Sequence, residues 1–144
     1  AAAAPCSGIL FQMPDMNIRA LPEIVGRKDA QIPIWMFGGE QEPWLLPSVP
    51  TADNETGDSL RIWRGINHMT PEMPDDFSTG WTVHGRWHDL TYRRDDGAPM
   101  VNFTWVDYMP HATMTEMSFR IWEEFFSKFS RVDGEVRYQP DTNG

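Results

Sequence analysis

His111 sits in Tyr108-Met109-Pro110-His111-Ala112, between a run that reads as a buried strand and a run that reads as a strong helix. A histidine on such a loop reaches the edge of a sheet, where its imidazole can take and return a proton near neutral pH. The competing reading is a helix-capping or surface histidine. Glu40 and Glu42 follow another apolar run, in an equivalent place. A carboxylate there can hold a histidine in one tautomer and stabilise its cationic form, or else be an ordinary solvated loop acid. Acid first and histidine later is the back half of the order Ser…Asp/Glu…His. The front half, a G-x-S-x-G elbow, is absent from these 144 residues. Cys6 and Ser7 are the nearest candidates, but Cys6 has Ala4 before it and Ser7 has Pro5 and Ile9, so neither has the flanking glycines; loop packing is the expected role of both. Trp44, beside the loop acids, is the tryptophan best placed to stack on a sugar or phenolic ring; most of the tryptophans are expected in the core.

His84 and His88 have the H-x-x-x-H spacing that sets two metal ligands on one face of a helix. Thr82, Val83, Thr91 and Tyr92 favour a strand instead. Four strand residues span roughly 13 Å, too far for one zinc with ligands about 2 Å away. The two are therefore expected to be strand-face histidines, and His68 a helix-end residue. No metal or organic cofactor is expected.

These groups need elements to position them. The run 32–37, IPIWMF, is apolar without alternation, as in a strand buried on both faces of a parallel sheet, and Gly38-Gly39 are expected to stop it. The polar loop after it lies where chemistry collects in open α/β sheets. The spacing predicts a helix over 55–67, capped by Asp53 or Asn54, with Leu60, Trp63 and Ile66 on one face and Gly65 and Asn67 at its end. Residues 68–80, rich in proline and acid, read as loop. Two strands are expected, 81–93 and 100–108, with Asp95-Asp96-Gly97 turning between them. Ile121, Trp122, Phe125, Phe126 and Phe129 predict a helix over 115–130, capped by Thr113 or Thr115, with Arg120, Glu123, Glu124 and Lys128 mostly on its other side. The tail beyond 131 is expected to fray.

The whole chain is one domain's worth of sequence. Its 12 Lys and Arg against 21 Asp and Glu give a net charge of −9, which argues against binding a phosphate backbone. Its apolar runs fall well short of the roughly 20 residues of a membrane span. One cysteine excludes an internal disulfide framework. Ala1–Ala4 read as the end of a buried strand and as the middle of a longer chain. Strand, strand, helix, hairpin and final helix have the character of the last third of an α/β sheet.

The segment IPIWMFGGEQEPWLLP resembles the strand and loop that carry the triad acid in α/β-hydrolases of the polyhydroxybutyrate depolymerase and feruloyl esterase type. Gly39 matches the motif's glycine, Glu42 falls at the acid and Pro47 resembles its later proline. The segment DDGAPMVNFTWVDYMPHATMTEMSFRIWEEFFSKFSR resembles that family's ending, with His111 at the catalytic histidine. AAAAPCSGIL looks like the strand and loop downstream of the nucleophile's helix. The departures are a glutamate in place of the commoner aspartate and a long stretch between acid and histidine. The resemblance implies the C-terminal part of an α/β-hydrolase over residues 1–131, followed by a flexible tail over 132–144, with the nucleophile and oxyanion hole upstream. It implies a serine carboxylic-ester hydrolase in which His111 and Glu42 are catalytic and Trp44 contacts a small-molecule or polysaccharide-linked ester; this chain alone would be inactive. A carbohydrate- or peptide-binding module and an inactive hydrolase-like scaffold are the alternatives. Compartment and oligomeric state are open.

Overall fold

The computed structural model describes residues 2–6, 27–41, 49–69 and 77–141. Its centre is a mixed sheet of four strands: β1 (Ile34–Gln41), β2 (Trp81–His84), β3 (Trp87–Arg93) and β4 (Pro99–Pro110), in the order β1-β4-β3-β2. β1 and β4 run parallel, from Ile34 opposite Val101 to Gly39 opposite Val106. β3 pairs antiparallel with β4, and β2 with β3. On the far side of β1, Ala3 and Cys6 make parallel bridges to Ile34 and Phe37. The described residues thus form three parallel segments edged by an antiparallel hairpin, a mixed α/β architecture.

Parallel strands need cover on both faces, and both faces of this pair have it. Ile34, Met36, Val101, Phe103 and Leu90 share one face by register and are all buried. Helix α1 (Glu55–Ile66) covers it, with Leu60 fully buried and Ser59 Oγ 3.4 Å from Met36 Sδ. Trp35, Phe37, Thr104 and Val106 face the other way. There Phe125 meets Trp35 edge-on, ring centres 5.6 Å apart. Burying a side chain of this size contributes roughly 1.5–3 kcal/mol, so the two layers hold β4 as the central strand, as its apolar sequence implies.

The start of α1 follows the expected chemistry. Asn54 Oδ1 accepts from Gly57 N at 2.9 Å, and Glu55 and Asp58 lie in the positive first turn. Asn67 closes the other end. It is nearly fully buried, with Nδ2 donating to Trp63 O and Ile32 O and Oδ1 accepting from Ile32 N. It therefore ties the helix to the approach of β1.

Several expectations need correction. Gly38 and Gly39 do not stop β1; the strand runs through both to Gln41. The space around Gly39 gives the reason, because a Cβ there would lie 2.2 Å from the carbonyl oxygen of Met109. The glycine admits a neighbouring backbone rather than ending a strand. Residues 81–93 are not one strand but β2 and β3, joined by Gly85-Arg86 with Gly85 at φ +64°. A two-residue turn with positive φ preserves the period-2 pattern on both sides, so alternation alone does not reveal it.

The helix expected over 115–130 is interrupted. α2 covers only Thr115–Arg120, a wide π turn follows at Ile121–Phe125 and a 3-10 turn at Phe126–Lys128. Its N-cap position is Met114, with no side-chain cap, so neither Thr113 nor Thr115 plays that part. Ile121, Phe125 and Phe129 are buried, while Trp122 and Phe126 of the expected stripe face solvent. Phe129 already belongs to β5 (Phe129–Val132), which pairs with β6 (Glu135–Tyr138). The tail expected to fray is thus an ordered hairpin as far as Tyr138. Its turn is Asp133-Gly134, both at positive φ, a pair suited to closing two strands.

Candidate active site

β1 and β4 end side by side. After a bulge between Gly39 and Gln41, Gln41 lies opposite Pro110. His111 is the next residue of β4's chain and is exposed at this edge. Glu40 is exposed on the adjacent strand end, and its Oε2 accepts a hydrogen bond from Tyr108 N at 2.8 Å. Tyr108 takes the left-handed region at φ +59°, and Met109 after it is fully buried. Glu40 therefore holds the two strand ends together by serving a backbone donor. Glu42 and Trp44 lie outside the described residues. Of the sequence candidates, the structure brings Glu40 and His111 to one edge of one parallel pair. An imidazole exposed at such an edge can exchange a proton with a substrate above it, and the neighbouring strand's loop is the natural source of an orienting acid.

Cys6 does not look like an activated nucleophile. Burial pushes its thiol pKa up, and its Sγ makes a long contact of 3.8 Å to Ala4 O. Ser7 is outside the described residues. His84 and His88 diverge, but for a different reason from the one expected. They lie on two strands of a hairpin, with His84 opposite Trp87 and His88 opposite Val83, which puts them on opposite faces. His84 Nε2 is 2.6 Å from Asp89 Oδ2, and His88 Nε2 is 2.9 Å from Asp107 Oδ2. Each has its own carboxylate, so they do not share an ion. Among the described residues no cluster of three or more His, Cys, Asp or Glu could hold a metal.

A second polar constellation lies on the Trp35 face of the sheet. Asp89 accepts from Thr104 Oγ1 at 2.5 Å and from Arg120 Nη2 at 2.9 Å, besides its contact with His84. Trp35 Nε1 in turn donates to Thr104 Oγ1 at 2.8 Å. Arg120 also bonds both oxygens of Glu124 at 3.0 Å and lies over the rings of Trp35 and Trp87 at 5.1 and 5.0 Å. Burial acts to raise the Asp89 pKa, but the hydrogen bonds from Arg120, Thr104 and His84 outweigh it and hold the carboxyl below its usual value. A cavity of about 260 Å³ adjoins the network, lined in part by Asn102, Arg93 and Tyr138. The charges here are paired with one another, which marks the cluster as the tie between α2 and the sheet. Helical spacing puts Arg120 with the solvated charges, and the sequence signal of an inward acid is Asp89 alternating with Trp87 and Thr91 on β3.

No protein-family model matches the chain, and no curated protein matches it. Among the described residues no helix is long and apolar enough to cross a membrane.

Proposed function

We propose that the chain is the C-terminal part of an α/β-hydrolase-type serine carboxylic-ester hydrolase, supplying the triad's histidine and acid. The observation that supports this most is the parallel pairing of β1 and β4 with Gln41 opposite Pro110. Glu42 and His111 are the next residues of those two strands' chains. The parallel bridges of Ala3 and Cys6 on the other side of β1 agree with a sheet that continues upstream.

In this reading an upstream serine attacks the ester carbonyl. His111 takes the hydroxyl proton as the new C–O bond forms, then gives it to the departing alcohol. Water next attacks the acyl-serine; His111 takes the water's proton and returns it to the serine oxygen as the acid leaves. Glu42 orients the imidazole and stabilises its cation. Glu40 is left to its backbone partner. The substrate is a carboxylic ester, free or polysaccharide-linked, with Trp44 as a stacking surface, and the chemistry calls for no metal or organic cofactor.

Because the nucleophile and oxyanion donors lie upstream, residues 1–144 alone should not turn over p-nitrophenyl acetate. Robust turnover abolished by Cys6→Ala would replace the proposal with a cysteine mechanism. The competing reading, a non-catalytic binding module, draws on the exposed rings of Phe119 and Trp122. Sugar or peptide binding by a monomeric, cooperatively folded 144-residue chain would favour it.

A further inference from the structure

Tyr108 combines two features that packing does not explain. It is 72% exposed, the most exposed large apolar residue among those described. It also holds φ +59°, where a bulky side chain is rare and asparagine or glycine would sit without strain. The chain on either side is pinned. Asp107 N donates to Arg86 O at 2.9 Å and Asp107 Oδ2 meets His88 at 2.9 Å. Met109 is fully buried with its carbonyl against Gly39. Between these anchors, the Glu40 carboxylate holds Tyr108 N at 2.8 Å. A strained, over-determined backbone that presents an aromatic ring to solvent is the pattern of a ligand-contacting position. It occurs three residues before His111, on the same sheet edge.

We infer that Tyr108 is a substrate-contacting residue that stacks on the flat, ring-bearing part of an ester, and that Glu40 is the positioning residue that aims it. The inference rests on the esterase reading above. A ring on a fixed backbone has two side-chain torsions to order when it stacks, so it binds a flat group at small entropic cost. It offers much less to a short alkyl group. Tyr108 therefore sets preference between esters, and Glu40 acts through it.

The test uses the full polypeptide that contains this chain, with phenyl acetate and ethyl acetate as substrates and phenol binding followed by NMR. Tyr108→Asn should raise KM for phenyl acetate about 3–10-fold, the range that one ring-stacking contact supplies. It should leave kcat and the KM for ethyl acetate unchanged, and Tm should not fall, because asparagine tolerates this backbone. Tyr108→Phe should behave as wild type. Glu40→Ala should reproduce the KM effect of Tyr108→Asn, and Glu40→Gln, whose amide oxygen still accepts from Tyr108 N, should rescue it. An unchanged preference between the two esters in Tyr108→Asn overturns the inference, as does an equal loss of kcat on both esters in Glu40→Ala. If the wild type is inactive but binds phenol through Tyr108, the esterase reading fails and the ring contact stands. Inactivity together with no phenol binding removes both.

Discussion

Arg120 ties the segment after His111 to the sheet, and its removal has a size that the structure sets. Its side chain is 15% exposed and that of Asp89 16%. Breaking a buried pair by deleting one partner costs about 3–5 kcal/mol, because the other charge is left uncompensated. Asp89 keeps Thr104 and His84 as partners and neither ion is fully dry, so the lower end applies, about 3 kcal/mol. The Glu124 side chain is half exposed and adds well under about 1 kcal/mol. Arg120→Met retains much of the packing over Trp35 and Trp87 and isolates the charge effect. In urea melts at pH 7 it should lower stability by about 3 kcal/mol, which corresponds to roughly 10 °C in Tm for a domain of this size. The pH dependence follows from the sign of the Asp89 shift. Its folded pKa lies below its unfolded value of about 3.9. The contribution is thus complete well above that unfolded value, and is lost as pH falls through it and on through the lower folded pKa. Wild type should lose stability over that acid range more steeply than Asp89→Asn. If Arg120→Met stays within about 0.5 kcal/mol of wild type, as an ordinary surface substitution does, the network does not anchor α2.

Two substitutions test the packing around the candidate site. Gly39→Ala puts a methyl group against a backbone carbonyl that cannot swing away, and should cost about 3 kcal/mol by urea denaturation while broadening the NMR signals of Met109 to His111. Asn67→Asp removes two N–H donors from part-buried carbonyls and should cost about 2–4 kcal/mol at pH 7. The loss should be smaller near pH 4, where the carboxyl can protonate and donate; equal losses at both pH values would contradict the hydrogen-bond account of Asn67.

Local chemistry was most legible at helix ends. Asp53 or Asn54 before Glu55, and Gly65 and Asn67 at the far end, bracket a helix by capping chemistry, and in α1 Asn54 and Asn67 take the two cap positions. Asp95-Asp96-Gly97 marked the β3–β4 turn. By contrast, Gly39 is identified by the Met109 carbonyl beside it, a contact 70 residues away in the chain that no local pattern carries. Helical spacing joins Ile121 to Phe129 on paper, yet Phe129 pairs with Tyr138 across a hairpin. Asp133-Gly134, between Val132 and Glu135-Val136, is a readable sign of that hairpin and outweighs the polar look of the tail. At the candidate site, His111 could be placed after a buried strand from sequence. The occupation of Glu40 by Tyr108 N could not, since it depends on the parallel register of β1 and β4.

The central claim is that Glu42 and His111 act as one catalytic pair while Glu40 serves the backbone. Steady-state kinetics of Glu42→Gln, Glu40→Gln and His111→Ala, in the full polypeptide on one p-nitrophenyl ester, test it most directly. The account predicts a loss of roughly 10⁴ in kcat for Glu42→Gln and for His111→Ala, by analogy with loss of the orienting acid in serine proteases, and near-wild-type turnover for Glu40→Gln. Mild and equal effects of all three would contradict the pair, and a dead Glu40→Gln beside an active Glu42→Gln would move the acid to Glu40.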